Sequence, residues 1–298
     1  MSLDEFIITC FCLIDDALPI ITGGKRLRQA GPQPKVSDSE VITMEVVGTY
    51  LGLTQDKALF EYFRRHYSHF FPALMHVNRT TFVRQTANLW AVKERLWMWV
   101  RDEQLSYDPE TAIVDSFALP VCHFARAKRS KLFRGEAAYG WDHTHKQAFY
   151  GFRVHARVAL PGVMTRVGMT PGNTAEGEVV LDLSEGTHGL LLGDRNYWLP
   201  DLKVVLKGLG IGLQTPFKKA SSPLARRYHS RVLTRVRYRI ETVFSQFIGR
   251  IGVRHVWARD LWHLRNRLLR GMLMHTLGIL FNQFEGHDPL QLAALVAA

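Results

Sequence analysis

Two short apolar runs in this chain lead straight into an aspartate. Ala112-Ile113-Val114 is followed by Asp115, and Gly189-Leu190-Leu191-Leu192-Gly193 by Asp194. Short apolar runs of this kind read as buried strands. A single acid after a strand is commonplace, because aspartate is a turn residue. A pair of such strands becomes a stronger pattern when a basic helix carrying one glutamate follows. That helix is read from Ile240, Val243, Phe244, Phe247, Ile248 and Ile251, which recur with helical spacing and form a wide buried stripe. Glu241 falls at the edge of the stripe, either as a solvated residue or as an inward, functional one. Three carboxylates gathered from two strand ends and one helix can hold two divalent cations about 3.5–4 Å apart, the arrangement used for in-line phosphoryl chemistry.

Charge points the same way. The chain of 298 residues carries a formal net charge of +11, which favours a polyanionic partner, nucleic acid first, although a merely basic protein has the same balance. Its 47% of hydrophobic residues can fill a sizeable core in one large or two ordinary domains. Cys10, Cys12 and Cys122 form no paired framework and no C-x-x-C spacing, so the expectation is a reducing compartment and no structural zinc. The acidic start Met1-Ser2-Leu3-Asp4-Glu5 is unlike a signal peptide, and no apolar stretch is long enough to span a membrane.

The first 108 residues read as helical. A helix is predicted over 3–21. The basic Gly/Pro-broken segment from Gly23 to Lys35 reads as a phosphate-touching loop or a plain linker. Ser37-Asp38-Ser39-Glu40 fits a capping box before a helix that puts Val41, Met44, Gly48 and Leu51 on one face. Thr54 is the expected cap of the next helix, to about His66, and a third is predicted from Arg79 to Val100. This group is either a helix-turn-helix DNA reader or a bundle that supports the rest.

After Tyr107-Asp108-Pro109-Glu110 the period becomes strand-like. Strand one is predicted over Thr111 to Asp115. The segment Cys122 to Arg134 is basic with interleaved aromatics. Its Arg126, Lys128, Arg129 and Lys131 are the candidate DNA-backbone contacts, against the alternative of a solvated loop. Gln147 to Leu160 alternates as a strand, with Phe152, Val154, Ala156 and Val158 on one face and Arg153, His155 and Arg157 on the other. Pro161-Gly162 turns the chain into a return strand, Val163 to Met169. A helix over 176–185, the strand ending at Asp194, a short helix over 203–208, a strand at Ile211 to Pro216 and a basic loop at 218–231 precede the Glu241 helix. A final amphipathic helix covers about 260–284.

Strand, hairpin, helix, strand, helix, strand, helix is the order of a ribonuclease-H-like domain. The motifs Ser37-Asp38-Ser39-Glu40-Val41-Ile42-Thr43, Tyr62-Phe63-Arg64-Arg65-His66, Arg79-Thr80-Thr81-Phe82-Val83-Arg84-Gln85, Val114-Asp115-Ser116-Phe117, Ala138-Tyr139-Gly140, Phe149-Tyr150-Gly151-Phe152-Arg153-Val154-His155, Gly193-Asp194-Arg195 and Arg239-Ile240-Glu241-Thr242-Val243-Phe244-Ser245-Gln246 together resemble a DDE-type transposase of bacterial insertion sequences. The resemblance is greatest to the 982 family within the IS4-like group, and it spans about residues 37–255. Thr234 and Ile248 depart from it where a tyrosine and a lysine are usual. Arg239 or Arg250 is then the candidate substitute cation, and Asn196 stands where glycine is expected.

The resemblance implies a fold, a site and an activity. The fold is α/β, a mixed five-stranded sheet with helices on both faces. Residues 109–255 form the catalytic domain, 1–108 a helical N-terminal domain, and 256–298 a C-terminal helix packed on the catalytic domain. The acidic triad is Asp115, Asp194 and Glu241, holding two Mg²⁺ or Mn²⁺ ions, and Lys146, His155 and Arg237 are further candidates for phosphate contact. The activity is cleavage of element ends and strand transfer into target double-stranded DNA, by a homo-oligomer in the bacterial cytoplasm at the nucleoid. An inactive DNA-binding derivative and a nuclease without strand transfer are the alternatives.

Overall fold

The computed structural model describes residues 1–28, 30–219, 221–226 and 231–296. In chain order the helices and strands are α1 (Leu3–Thr22), α2 (Asp38–Tyr50), α3 (Asp56–His66), α4 (Arg79–Asn88), α5 (Trp90–Trp99), β1 (Asp108–Pro120), β2 (Ala138–Asp142), β3 (Gln147–Leu160), β4 (Val163–Pro171), α6 (Glu176–Ser184), β5 (Gly189–Gly193), α7 (Pro200–Gly208), β6 (Ile211–Gln214), α8 (Arg231–Ser245) and α9 (Leu261–Phe284). They divide into a helical unit, Met1–Leu105 with Phe247–Ala298, and a mixed unit, Ser106–Gln246. The basic loop predicted over 218–231 falls partly on residues 220 and 227–230, outside the described residues.

In the helical unit, Ser37 caps α2 as its sequence demands. Its hydroxyl accepts from the Glu40 N–H at 3.1 Å, and the Glu40 carboxylate accepts from the Ser37 N–H at 2.6 Å. The single apolar face predicted for α2 is too narrow, because the helix is buried from Val41 to Tyr50. Gly48 permits that packing: a Cβ there would come within 2.8 Å of the Leu59 side chain. Two boundaries differ from expectation. Gln55, not Thr54, precedes α3, and the Thr54 carbonyl instead accepts from Arg267 and Arg270. The helix predicted over 79–100 breaks at Leu89 into α4 and α5, followed by a wider π-type turn at Val100–Gln104.

The last helix is a larger correction. Expected on the catalytic domain, α9 belongs to the helical unit, where it packs with α2 and α5. It is buried almost all round from Leu264 to Asn282. Two of its arginines, Arg267 and Arg270, are therefore internal, while Arg265 stays exposed and pairs with Glu94. Arg267 and Arg270 both pair with Asp56, at 3.2 and 2.9 Å, and nearby Lys93 pairs with Glu45 with both side chains fully buried. Buried charges of this kind persist only when paired. Among the described residues no helix is long and apolar enough to cross a membrane.

The mixed unit is built on a six-stranded sheet, one strand more than expected, ordered β2-β3-β1-β5-β6 with β4 also paired to β3. The extra strand is β2, a short edge strand. β1 runs antiparallel to β3 and parallel to β5, and β5 runs parallel to β6. Alternation along the strands sends Ala112, Val114, Leu191, Ile211 and Leu213 to one face. There they form a core with Val179, Val180 and Leu183 of α6 and Leu202 and Leu206 of α7. On the opposite face Phe117 of β1 meets Phe244 of α8, ring centroids 5.0 Å apart. β1 continues past Asp115 to Pro120, because β3 supplies a partner for its whole length.

Candidate active site

The parallel ladder between β1 and β5 ends at the pair Val114–Gly193. The next residue on each strand is Asp115 and Asp194, so register alone sets the two aspartates side by side where the ladder runs out. Their side chains leave the sheet on the face toward α8, opposite the α6–α7 core.

Each aspartate is fixed through one oxygen. Asp115 Oδ1 accepts from the Ser116 N–H at 2.8 Å, and Asp194 Oδ1 accepts from the Asn196 N–H at 2.8 Å. The second bond caps the short 3₁₀ turn Arg195–Tyr197, and because it uses only the main chain, Asn196 serves there as well as the expected glycine. The fully buried Tyr197 anchors that turn in the core. Its ring lies so close beneath Gly193 that a Cβ at Gly193 would meet it at 3.0 Å.

The electrostatics are those of like charges held together. Burial pushes the Asp115 carboxyl up to about 7; Asp194 and Glu176 push the same way, and the Ser116 N–H and Arg237 oppose them. Asp194 is also raised, first by burial and then by Glu176, against the Asn196 N–H, Arg237 and the Tyr197 N–H. The Tyr197 phenol is raised well above its usual range, by burial and then by Glu176, Asp115 and Asp194.

Glu241 lies on α8, whose Ile240, Val243 and Phe244 are buried. Its side chain is exposed, and Arg237, one turn earlier, donates through Nε to Glu241 Oε1 at 2.9 Å. Arg237 is thus the common cation: it bonds Glu241 and acts on both aspartates. The structure brings Asp115 and Asp194 together but leaves Glu241 exposed on α8, paired with Arg237 and not gathered with the aspartates into one cluster. Among the described residues no group of three or more His, Cys, Asp or Glu side chains is close enough to hold a metal. The donor chemistry nonetheless fits a hard cation, with oxygen ligands only and two raised aspartates that positive charge would relieve.

The sequence reading missed Glu176. At the start of α6 its Oε1 accepts from Ser116 Oγ at 2.6 Å and from Arg153 Nη1 at 2.8 Å, while Arg153 Nη2 donates to the Trp141 carbonyl at 2.8 Å. No local signal marks Glu176: β3 also carries His155 and Arg157, and the buried Arg157 donates to Thr165 Oγ1 and the Pro109 carbonyl, so an arginine on this strand does not by itself call for a carboxylate.

The other predicted residues are spread out. Arg126, Lys128, Arg129 and Lys131 are exposed; the first three lie on a 3₁₀ turn, Phe124–Arg129. Lys146 is exposed in the β2–β3 turn at φ 51°. Arg239 sits over the Tyr238 ring at 4.9 Å. Arg250 is in the helical unit, 4.4 Å over Tyr50. His155 requires a correction: it is fully buried, with Nε2 2.9 Å from Thr170 Oγ1. Burial lowers its pKa to about 4, so it is neutral near pH 7 and is not a phosphate contact. The polar face predicted for β3 is an internal one.

Comparison with known proteins bears on the fold and the family. None of the curated proteins matches the chain. Among solved structures, the cryo-EM structure of the piggyBac transposase synaptic complex with hairpin DNA is similar, with a TM-score of 0.50 at 11% identity, covering 97% of this chain and 79% of that one. At that identity the likeness is one of fold, the ribonuclease-H-like fold of DDE transposases. The family model described as the transposase DDE domain matches residues 107–261, more than half of the chain, and takes in both aspartates, Glu176 and Glu241. The chain therefore belongs to the DDE-domain transposase family.

Proposed function

We propose that this transposase cuts the ends of an insertion element and joins them to target DNA, with Asp115, Asp194 and Glu241 as its catalytic carboxylates. The observation that carries the reading is the side-by-side pair Asp115 and Asp194 at the end of the β1–β5 ladder, both with raised pKa. Two Mg²⁺ or Mn²⁺ ions held by these carboxylates would supply charge neutralisation at the scissile phosphate and a more acidic attacking hydroxyl. The chain's own part is positional. Asp115 and Asp194 are each oriented by a backbone N–H on one oxygen, which leaves the other for a cation. Glu241 completes the set from α8 once Arg237 turns from it toward a DNA phosphate. DNA is the partner the net charge of +11 favours, and Arg126, Lys128, Arg129, Lys131 and Lys146 are proposed to track its backbone.

The test is a nicking and joining assay with Mg²⁺ on DNA carrying the element end. Asp115→Ala, Asp194→Ala and Glu241→Ala should each lose at least about 10³-fold in rate, a loss of roughly 4 kcal/mol of transition-state stabilisation. Asp201→Ala, in the first turn of α7, should stay active. A dead Asp201→Ala with an active Asp194→Ala would overturn the assignment. Nicking without joining would leave a nuclease of the same fold.

A further inference from the structure

The mixed unit carries an aromatic surface that the cleavage chemistry does not use. Tyr139 and Trp141 are two residues apart on the edge strand β2, so they share its outward face, and they are 49% and 48% exposed. The other face of β2 is closed: a Cβ at Gly140 would come within 2.2 Å of the Gly172 carbonyl oxygen. Phe124, 48% exposed, stands edge-on to Tyr139 at 6.1 Å, and the buried Tyr150 backs Tyr139 at 5.1 Å. Tyr139 is thus braced from two sides while remaining open to solvent. Phe124 also begins the exposed turn that bears Arg126, Lys128 and Arg129.

A braced row of exposed rings beside a cluster of cations has a specific complement. Isolated apolar side chains need no explanation, but three large aromatics exposed together beside basic residues do. Duplex DNA offers such a row no ring faces, because its bases are already stacked. Tyr139 and Trp141 are about 6.6–6.8 Å apart along the strand. That is roughly twice the 3.4 Å rise per nucleotide of a duplex strand, so two successive bases reach both rings only if the strand is extended and unstacked. Stacking on aromatic side chains while cations track the backbone is the general mode of single-strand binding.

We propose that Phe124, Tyr139 and Trp141 form a stacking platform for unpaired nucleotides of the DNA substrate, with Arg126, Lys128 and Arg129 holding the same strand's phosphates. This rests on the transposase reading and deepens it: the strand freed near a cleaved end is captured on β2.

The test uses the full chain at physiological salt, with one short fluorescein-labelled DNA as a single strand and as a blunt duplex. Tyr139→Ala and Trp141→Ala should each weaken single-strand binding about tenfold and duplex binding less than about twofold. Tyr139→Phe and Trp141→Phe should restore the single-strand affinity. Because Trp141 is one of seven tryptophans, a second readout isolates it: single-stranded DNA should quench wild-type fluorescence more than that of Trp141→Phe. Equal losses on both DNA forms, or no loss on either, would overturn the platform and leave the transposase reading standing. A wild-type chain that binds neither form would overturn both.

Discussion

The two units bury charge in opposite ways. In the helical unit every buried acid has a cation: Glu45 has Lys93, and Asp56 has Arg267 and Arg270. Burial alone would raise the Asp56 carboxyl, but Arg270 and Arg267 more than offset it and hold it below its usual range. In the mixed unit Glu176 pairs with Arg153, but Asp115 and Asp194 stand beside each other and both are raised. Paired charge serves packing, whereas like charge held together costs stability and persists where chemistry needs it. The basic residues divide the same way, internal at Arg267 and Arg270 and exposed at Arg126, Lys128 and Arg129. A count of charges in the sequence treats the two sets as one.

The largest test of this contrast is to break a pair in the helical unit. Lys93→Met leaves the buried Glu45 with only the more distant Arg270, 3.9 Å away, and should cost about 3 kcal/mol in urea unfolding. A cost below about 1 kcal/mol would mean that the pair is no more than a surface contact.

Next comes the opposite sign in the mixed unit. Asp115 has a folded pKa of about 7, above its unfolded value of about 3.9. The folded state then holds the proton more tightly. Stability is full below about pH 4 and is lost as pH rises to about 7. Asp115→Asn should remove that slope and, without metal, stabilise the chain at pH 8 by about 1–3 kcal/mol. Unfolding at pH 5 and pH 8 checks it. Identical pH dependence in both proteins would show that the aspartates are not in conflict.

The smallest effect concerns the cations. Replacing Arg126, Lys128, Arg129 and Lys131 with Ala should change stability by less than about 0.5 kcal/mol. The salt dependence of DNA binding should fall by roughly one unit of slope for each phosphate no longer neutralised. Arg267→Ala should do the reverse, destabilising the fold and leaving the slope alone. An unchanged slope in the first variant would make that turn a solvated surface.

Local rules were readable in the sequence, and long-range ones were not. The Ser37 cap, the β3–β4 hairpin and the ends of β5 and α6 follow from a few adjacent residues, and the structure has them in place. Strand β2 is five residues long and alternates weakly, so only its pairing with β3 reveals it. The α9 helix looked half-basic because Asp56 and Glu45, far away in sequence, neutralise its arginines. In the site, Asp115 and Asp194 could be paired from strand ends alone. Glu176 could not, because its importance comes from Arg153 and Ser116 across the sheet. His155 looked polar by alternation, yet both faces of β3 are covered.

The close approach of Tyr197 to Gly193 amounts to a mechanical stop. The main chain that carries Asp194 cannot sink toward the α6–α7 core unless the ring moves, and the ring belongs to the packed cluster that includes Val179, Leu183, Leu202 and Leu206. The accuracy of this aspartate is therefore inherited from the density of a hydrocarbon layer on the far side of the sheet. A loosened methyl group there reaches the Asp194 carboxylate as an error in aim.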